Sequence, residues 1–457
     1  MKIIKKSGLI KSIYAYEVLD SRGFPTVACK IKTNEGYEAV AMVPSGASTG
    51  EREALELRDN DKTRFMGKGV LKAVSNVNNK IAKALIRAKF SVLQQREIDN
   101  FMIKLDNTPN KQVLGANAIL SVSMAVTKCA ALVSKMPLYA YIKKNFSKNK
   151  DKKYIMPVPM LNVINGGAHA DNTIDFQEFM FVPVNAVSFK NACRIASECF
   201  HSLAKLLKEN GYNTSKGDEG GFAPLLKDAE QALSLMVQAI KNAGYIPGIK
   251  GDVAFALDTA CSELYDNDTK KYTFAKAIKA KLKTKTNGVI STKDMINYLG
   301  SLTKKFPIIS IEDGLSENDR KGWFKFTQQY GKKLQIVGDD LYCTNPDLVN
   351  EGIRGKWSNA VLIKLNQIGT VSETVDTIIA ANKANWVSVV SHRSGETEDT
   401  FIADFVVGMC TGQIKTGSMS RSERIAKYNR LIQIEDELGK KAKYNKLASF
   451  KFSTKAN

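Results

Sequence analysis

Six short apolar segments recur through the C-terminal part of the chain: VAFALD, IISIED, LQIVGDD, AVLIKLNQ, WVSVVSHRS and GQIKTG. Each runs into a charged or polar residue as its apolar stretch ends. The landmark residues stand at 258, 312, 339, 364, 392 and 415, at intervals of 54, 27, 25, 28 and 23 residues. One βα unit takes about 30 residues, so four intervals match one unit each and the first is close to two. Uninterrupted apolar runs of this length read as strands buried on both faces, as in a parallel sheet covered by helices. Helical patterns accompany them, CRIASECFHSLAKLLKENG and LKDAEQALSLMVQAIKNAG, ended by Gly211 and Gly244. The pattern predicts a (β/α) barrel with its chemistry at the C-terminal strand ends. The rival is an open doubly wound sheet, which concentrates chemistry at a switch point; six equipped strand ends and no opening GxGxxG favour the barrel.

The N-terminal part follows different rules. Residues 12 to 43 read as three strands, with Val27, Cys29 and Ile31 of TVACKIKT on one face, lysines on the other, and RGFP and NEG as turns. Helical patterns follow, ending in GANAILSVSMAVTKCAALVSK, and strands before helices indicate an α+β unit. The lysine-dense run KKNFSKNKDKK at 143 to 153 marks the boundary. The expected organisation is a small α+β domain over 1–150, a three-stranded meander plus helices, and a barrel domain over 151–457.

The net charge of +21 raises the question of nucleic acid, but 54 lysines against 13 arginines, spread over the whole length, describe a solvated surface rather than a phosphate- and base-reading footprint. Seven cysteines, an odd number without CxxC spacing, suit neither a disulfide framework nor a zinc site and point to a reducing, cytoplasmic compartment. The opening MKIIKKSGLIKSIYAYE lacks a signal-peptide core, and no uncharged run of 18 apolar residues occurs, so no membrane span is expected.

Asp258, Glu312 and Asp339 end three successive apolar runs and would converge at one barrel mouth. Three uncompensated carboxylates repel, and a hard divalent cation resolves the conflict; oxygen-only ligands point to Mg²⁺. Taken singly, each acid could instead cap a helix N-terminus. Lys364 interrupts an apolar strand and Lys415 occupies a later strand end; near cations one ammonium would lose its proton and act as a base, the alternative being lysines that snorkel to the strand edge. His392, Arg393 and Ser394 offer a charged fork and a hydroxyl suited to a phosphate. His169 and Glu219 lie in the glycine-rich NGGAHADN and GDEGGF, where backbone can approach a ligand, whereas His201 sits mid-helix and reads as structural or interfacial. PSGASTG at 44–50 looks like a flexible loop without the lysine of a Walker motif.

Together these motifs, with LDSRG, PTV, EALELRD, QEFM, SELY, IKLNQIGT, SHRSGETED and RSERIAKYN, closely resemble the enolase family, bacterial type, over nearly the whole chain. The resemblance implies a modified TIM (β/α)8 barrel and the reversible Mg²⁺-dependent dehydration of 2-phospho-D-glycerate to phosphoenolpyruvate in glycolysis and gluconeogenesis. It implies two Mg²⁺ per site, one held by Asp258, Glu312 and Asp339 and a second capped by Ser48 of the loop. Lys364 resembles the base and Glu219 the acid for the departing hydroxyl, supported by Glu178. Lys415, His169 and Gln177 resemble substrate-binding residues, with Glu312, Asp339 and His392 bordering the substrate and Arg393 and Ser394 clamping its phosphate.

Departures from the family pattern lie elsewhere: Tyr16, Phe24 and Ala28 replace a usual Arg, Asn and Glu, and Gln433 a usual Arg that contacts the partner subunit. A homodimer or ring of dimers is expected, lacking that charged pair. Two competing readings are a superfamily enzyme acting on a non-phosphorylated acid, and an additional docking role for the lysine-rich surface, with host protein as partner if the chain also reaches the cell surface or is secreted. Retention of the loop and of the SHRS clamp argues against the first.

Overall fold

The computed structural model describes residues 7–46, 50–282 and 288–450. Strands β1 (Ile10–Leu19), β2 (Pro25–Thr33) and β3 (Glu38–Met42) form an antiparallel meander. The alternation read from TVACKIKT holds: Val27, Cys29 and Ile31 are fully buried while Lys30 and Lys32 face outward. Helix α1 (Ala116–Val133) covers β2 and β3. It is long and apolar enough to cross a membrane by composition, with mean hydropathy 1.6, but most of it is buried in protein here. Burial of its nearly continuous apolar surface explains that composition without lipid.

Eight strands close the barrel: β4 (Val158–Asn165), β5 (Glu178–Val182), β6 (Ala254–Asp258), β7 (Ile308–Glu312), β8 (Gln335–Gly338), β9 (Ala360–Ile363), β10 (Val387–Ser391) and β11 (Gln413–Lys415). Outer helices α2 (Phe189–Glu209) and α3 (Ala229–Asn242) follow β5. Helices α4 (Thr292–Lys305), α5 (Arg320–Tyr330), α6 (Pro346–Gly355), α7 (Val371–Lys383), α8 (Phe401–Met409) and α9 (Ser422–Leu438) then alternate with β6 to β11. The order is therefore ββαα followed by six βα units, and β11 closes onto β4 in parallel. Short polar residues start the outer helices: Ser188, Asp228, Ser291, Asp319, Asn345 and Thr370 each accept a first-turn backbone N–H.

Strand pleating divides the apolar residues between two cores. Val158, Met160, Met180, Val182, Ala254, Ala256, Ile309, Val337, Ala360, Leu362 and Val389 fill the barrel, while their neighbours Phe179, Phe181, Phe255 and Ile311 face the helices.

Two features correct a plain series of parallel units. Strand β5 pairs antiparallel with both β4 and β6, which reverses its polarity in the barrel. The 54-residue interval holds no additional barrel strand, since β6 pairs directly with β7. Its extra length forms a small antiparallel sheet of Tyr265–Asp266, Lys271–Thr273 and Val289–Ser291 ahead of α4. Sequence length alone cannot separate a second βα unit from a hairpin that packs outside the barrel.

Candidate active site

Asp258, Glu312 and Lys415 are the last residues of β6, β7 and β11, while Asp339, Lys364 and His392 directly follow β8, β9 and β10. All six landmarks therefore reach one mouth. The reversed β5 contributes from its start instead: Glu178 is its first residue, in register with Asp258 on one side and Asn165 on the other, with Gln177 just before it. His169 ends the single helical turn Gly167–His169 after β4. Glu219 arrives on a loop that needs its glycines. Gly220 has φ +89°, and a Cβ on Gly221 would lie 2.5 Å from Asn165 Oδ1.

These side chains surround a small cavity lined by His169, Gln177, Glu178, Glu219, Asp258, Lys364, Ser391 to Ser394 and Lys415. Lys415 Nζ donates to Glu312 Oε1 at 2.7 Å and Asp258 Oδ2 at 2.8 Å, and lies 3.2 Å from Glu178 Oε1. Lys364 Nζ donates to Asp339 Oδ2 at 2.5 Å. Two ammonium groups thus divide the three carboxylates that the sequence placed together. Potential ligand atoms within 4.8 Å of one another instead form the groups Asp313, Asp339, Asp340 and His169, Glu178, Glu219. In the first, Asp313 is already occupied as acceptor for the backbone N–H groups of Asp339 and Asp340, at 2.8 and 3.0 Å.

Burial dominates the electrostatics. It raises Glu312 well above the usual carboxylate range, with Asp258 adding to the effect. It raises Glu178 likewise, reinforced by Glu219. Burial alone would raise Glu219 too, but the rings of His392 and His169 and the Arg424 guanidinium outweigh it and hold Glu219 as a carboxylate. His392 itself is pushed down to about 4 by burial, and its Nε2 lies 3.4 Å from Glu219 Oε2. Burial also opposes the charge on Lys364, but Asp339 outweighs it and lifts Lys364 above the lysine range. The expectation of a neutral Lys364 supposed cations beside it; in this geometry its nearest neighbour is the Asp339 carboxylate, which favours the ammonium.

His169 Nδ1 lies 3.6 Å from Glu219 Oε1 and 3.7 Å from Glu178 Oε1. Its Nε2 is 3.2 Å from Ser394 Oγ. Asn162 donates to Glu219 Oε2 at 3.0 Å, and Gln177 reaches Asp258 Oδ2 at 3.4 Å. Glu312 Oε2 and Glu178 Oε2 are buried without a partner. Unpartnered carboxylate oxygens beside an excess of acids are the donor set of a hard cation, so these residues fit one. Ser48 lies outside the described residues. His201 is exposed on α2, away from the cavity.

Several residues at the mouth carried no assignment from sequence. Glu53, from the N-terminal segment, accepts from Arg393 Nη1 at 3.0 Å and from Gln367 Nε2 at 3.1 Å, and Gln367 also donates to Asp339 at 2.9 Å. Ser45 and Gly395 exchange backbone hydrogen bonds at 2.7 and 2.9 Å, which pins the approach to the loop against the barrel. The only signal for these residues was their position inside motifs already noted, such as Gln367 in IKLNQIGT.

Comparison with known proteins identifies the family. Residues 10–142 match the family model described as "Enolase, N-terminal domain" and residues 153–453 the model "Enolase, C-terminal TIM barrel domain". The chain is 63% identical to the enolase of Malacoplasma penetrans over 442 residues, 97% of this chain and 98% of that one. It is 60% identical to that of Mycoplasmoides gallisepticum over 435 residues, 95% and 90% of the two chains. With Mycoplasma pneumoniae enolase the identity is 59% over 442 residues, 97% and 96%. The chain belongs to the enolase family, the phosphopyruvate hydratases, which are carbon-oxygen hydro-lyases.

Proposed function

We propose that the reaction proceeds across this cavity, with Lys364 and the Glu178–Glu219 pair on opposite sides of 2-phospho-D-glycerate. The observation that carries this reading is that one cavity is lined by Lys364, paired with Asp339, and by Glu178 and Glu219, which share His169, with Lys415 3.2 Å from Glu178. A proton beside a carboxylate is weakly acidic, and its removal loads two negative charges onto that carboxylate. Asp258, Glu312 and Asp339 would hold one Mg²⁺ and Ser48 would cap a second, and the ions would supply positive charge to balance that carboxylate. Lys364, in its unprotonated amine form, takes the C2 proton. Lys415 stays charged, being held above the lysine range against burial by Asp258, Glu178 and Glu312, and faces the growing negative charge. Glu178 stores a proton, and the pair, acting as one unit, delivers it through Glu219 to the departing hydroxyl. Arg393 and Ser394 receive the phosphate, with His169, His392 and Gln177 closing the substrate's surface. The carboxyl-shell residues Glu312 and Asp339 border it as well.

The direct test is ultraviolet detection of phosphoenolpyruvate formed from 2-phosphoglycerate. Turnover is expected with Mg²⁺, lost with a chelator and restored by Mg²⁺ in excess of it. A folded, Mg²⁺-supplied protein without turnover would sink the reading.

The division into domains over 1–150 and 151–457, a cytoplasmic location and a dimer-based assembly belong to the same proposal. Seven unpaired cysteines support a reducing compartment. Tyr14 and Leu19 on β1 are 59% and 56% exposed, and Tyr14 stacks on Tyr16, which together leave an apolar edge suited to a partner subunit. Ala28 is fully buried in β2 and Gln433 is exposed on α9, so the charged contact of the family pattern is absent at both positions. Loss of one surface ion pair costs little, within about 0–1 kcal/mol. Sedimentation at micromolar concentration is expected to show a dimer or a multiple of it, and a monomer alone would reject the assembly.

A further inference from the structure

Arg424 is 0% exposed, and its guanidinium reaches three segments of the mouth. Nη1 lies 2.7 Å from His392 Nδ1 and 2.6 Å from the Arg393 carbonyl. Nη2 lies 2.6 Å from the Ser394 carbonyl and 3.3 Å from the Asp218 carbonyl, beside Glu219. A guanidinium has donors and no acceptor. His392 Nδ1 must therefore accept, and a neutral imidazole that accepts at Nδ1 carries its proton at Nε2. That nitrogen is buried, has no hydrogen-bond partner and lies 3.4 Å from Glu219 Oε2 on the cavity wall.

We propose that Arg424 is a positioning residue that locks His392 in the Nε2–H tautomer, so that the ring presents a donor to Glu219 and to the leaving-hydroxyl side of the cavity. The opposite tautomer would turn a lone pair toward a carboxylate, exchanging attraction for repulsion at the group that delivers the proton. The same guanidinium holds the carbonyls of Arg393 and Ser394, so one side chain sets both the proton position and the place of the phosphate-facing segment. Nothing in the motif RSERIAKYN distinguishes this arginine from a surface residue. The kinetic consequence rests on the hydratase reading, whereas the tautomer does not.

The chain has only three histidines, at 169, 201 and 392, which makes the ring directly observable. The experiment is long-range proton–nitrogen correlation on full-length protein labelled with ¹⁵N-histidine, with His392→Gln used for assignment. The wild-type His392 ring is expected to show a pyridine-type Nδ1 and a pyrrole-type Nε2. Arg424→Met is expected to abolish that single-tautomer pattern and to lower kcat about 100-fold, the scale of a displaced catalytic group. Arg424→Lys, whose ammonium also only donates, is expected to retain the pattern and to recover part of the rate. A wild-type ring protonated at Nδ1, or at both nitrogens, overturns the proposal, as does an unchanged ring spectrum in Arg424→Met. Should that variant fail to fold, the wild-type and Arg424→Lys spectra decide. An Nε2–H ring in a protein without hydratase turnover upholds the tautomer and overturns the reaction assignment instead.

Discussion

Lys364→Ala is expected to lose turnover by on the order of 10⁴-fold, the upper range for a positioned general base, while the protein stays folded. The size of the loss follows from geometry. Among the residues lining the cavity, Lys415 is the other ammonium, and it is committed to Asp258, Glu312 and Glu178. No second amine is placed to replace Lys364. Its removal also leaves Asp339 with the amide of Gln367 as a remaining donor, a group that can hold the carboxylate in place. The discriminating measurement is exchange of the substrate's C2 hydrogen in deuterated water. Lys364→Ala should abolish exchange along with turnover, whereas Glu219→Gln should lose turnover and keep exchange, because the two residues act on different bonds. Exchange that survives in Lys364→Ala would assign the base elsewhere.

Lys415→Met is expected to damage both activity and stability. Lys415 is 2% exposed and faces Asp258, Glu312 and Glu178, so truncation leaves this buried acidic cluster without its cation. Breaking a buried pair by removing one partner costs about 3–5 kcal/mol. The pH dependence has a definite sign. Glu178 and Glu312 are raised even with Lys415 present, first by burial and then by their acidic neighbours, and loss of the ammonium raises them further. Acids whose folded pKa exceeds the unfolded value bind more protons when folded, so the variant gains stability as pH falls toward those raised values. Chemical denaturation should therefore show a deficit that is large at pH 8, smaller at mildly acidic pH, and reduced by Mg²⁺. A deficit that ignores both pH and cation would contradict this charge balance.

Much of this site was legible because a buried strand leaves a local record. An apolar run of four or five residues followed by Asp339, Lys364 or His392 identifies a strand end whatever the rest of the chain does, and the spacing of 23 to 28 residues identifies the returning helix. The alternation in β2 is local in the same way. Other features were not legible, since they depend on partners distant in sequence. Glu178 opens an apolar run instead of closing one, and only the antiparallel pairing of β5 brings it beside Asp258. Glu53 meets Arg393 across 340 residues, and Arg424 meets the carbonyl of Asp218 across 206.

The sequence by itself determined which residues the chain buries, where its strands end and which chemical groups stand there, because burial and turn chemistry are written in neighbouring residues. Tertiary structure decided how those groups are paired. Whether Lys364 is an amine or an ammonium, which of Glu178 and Glu219 holds the proton, and which nitrogen of His392 carries its hydrogen all depend on a charge or donor placed within about 4 Å, and distances between remote residues exist only in the folded molecule.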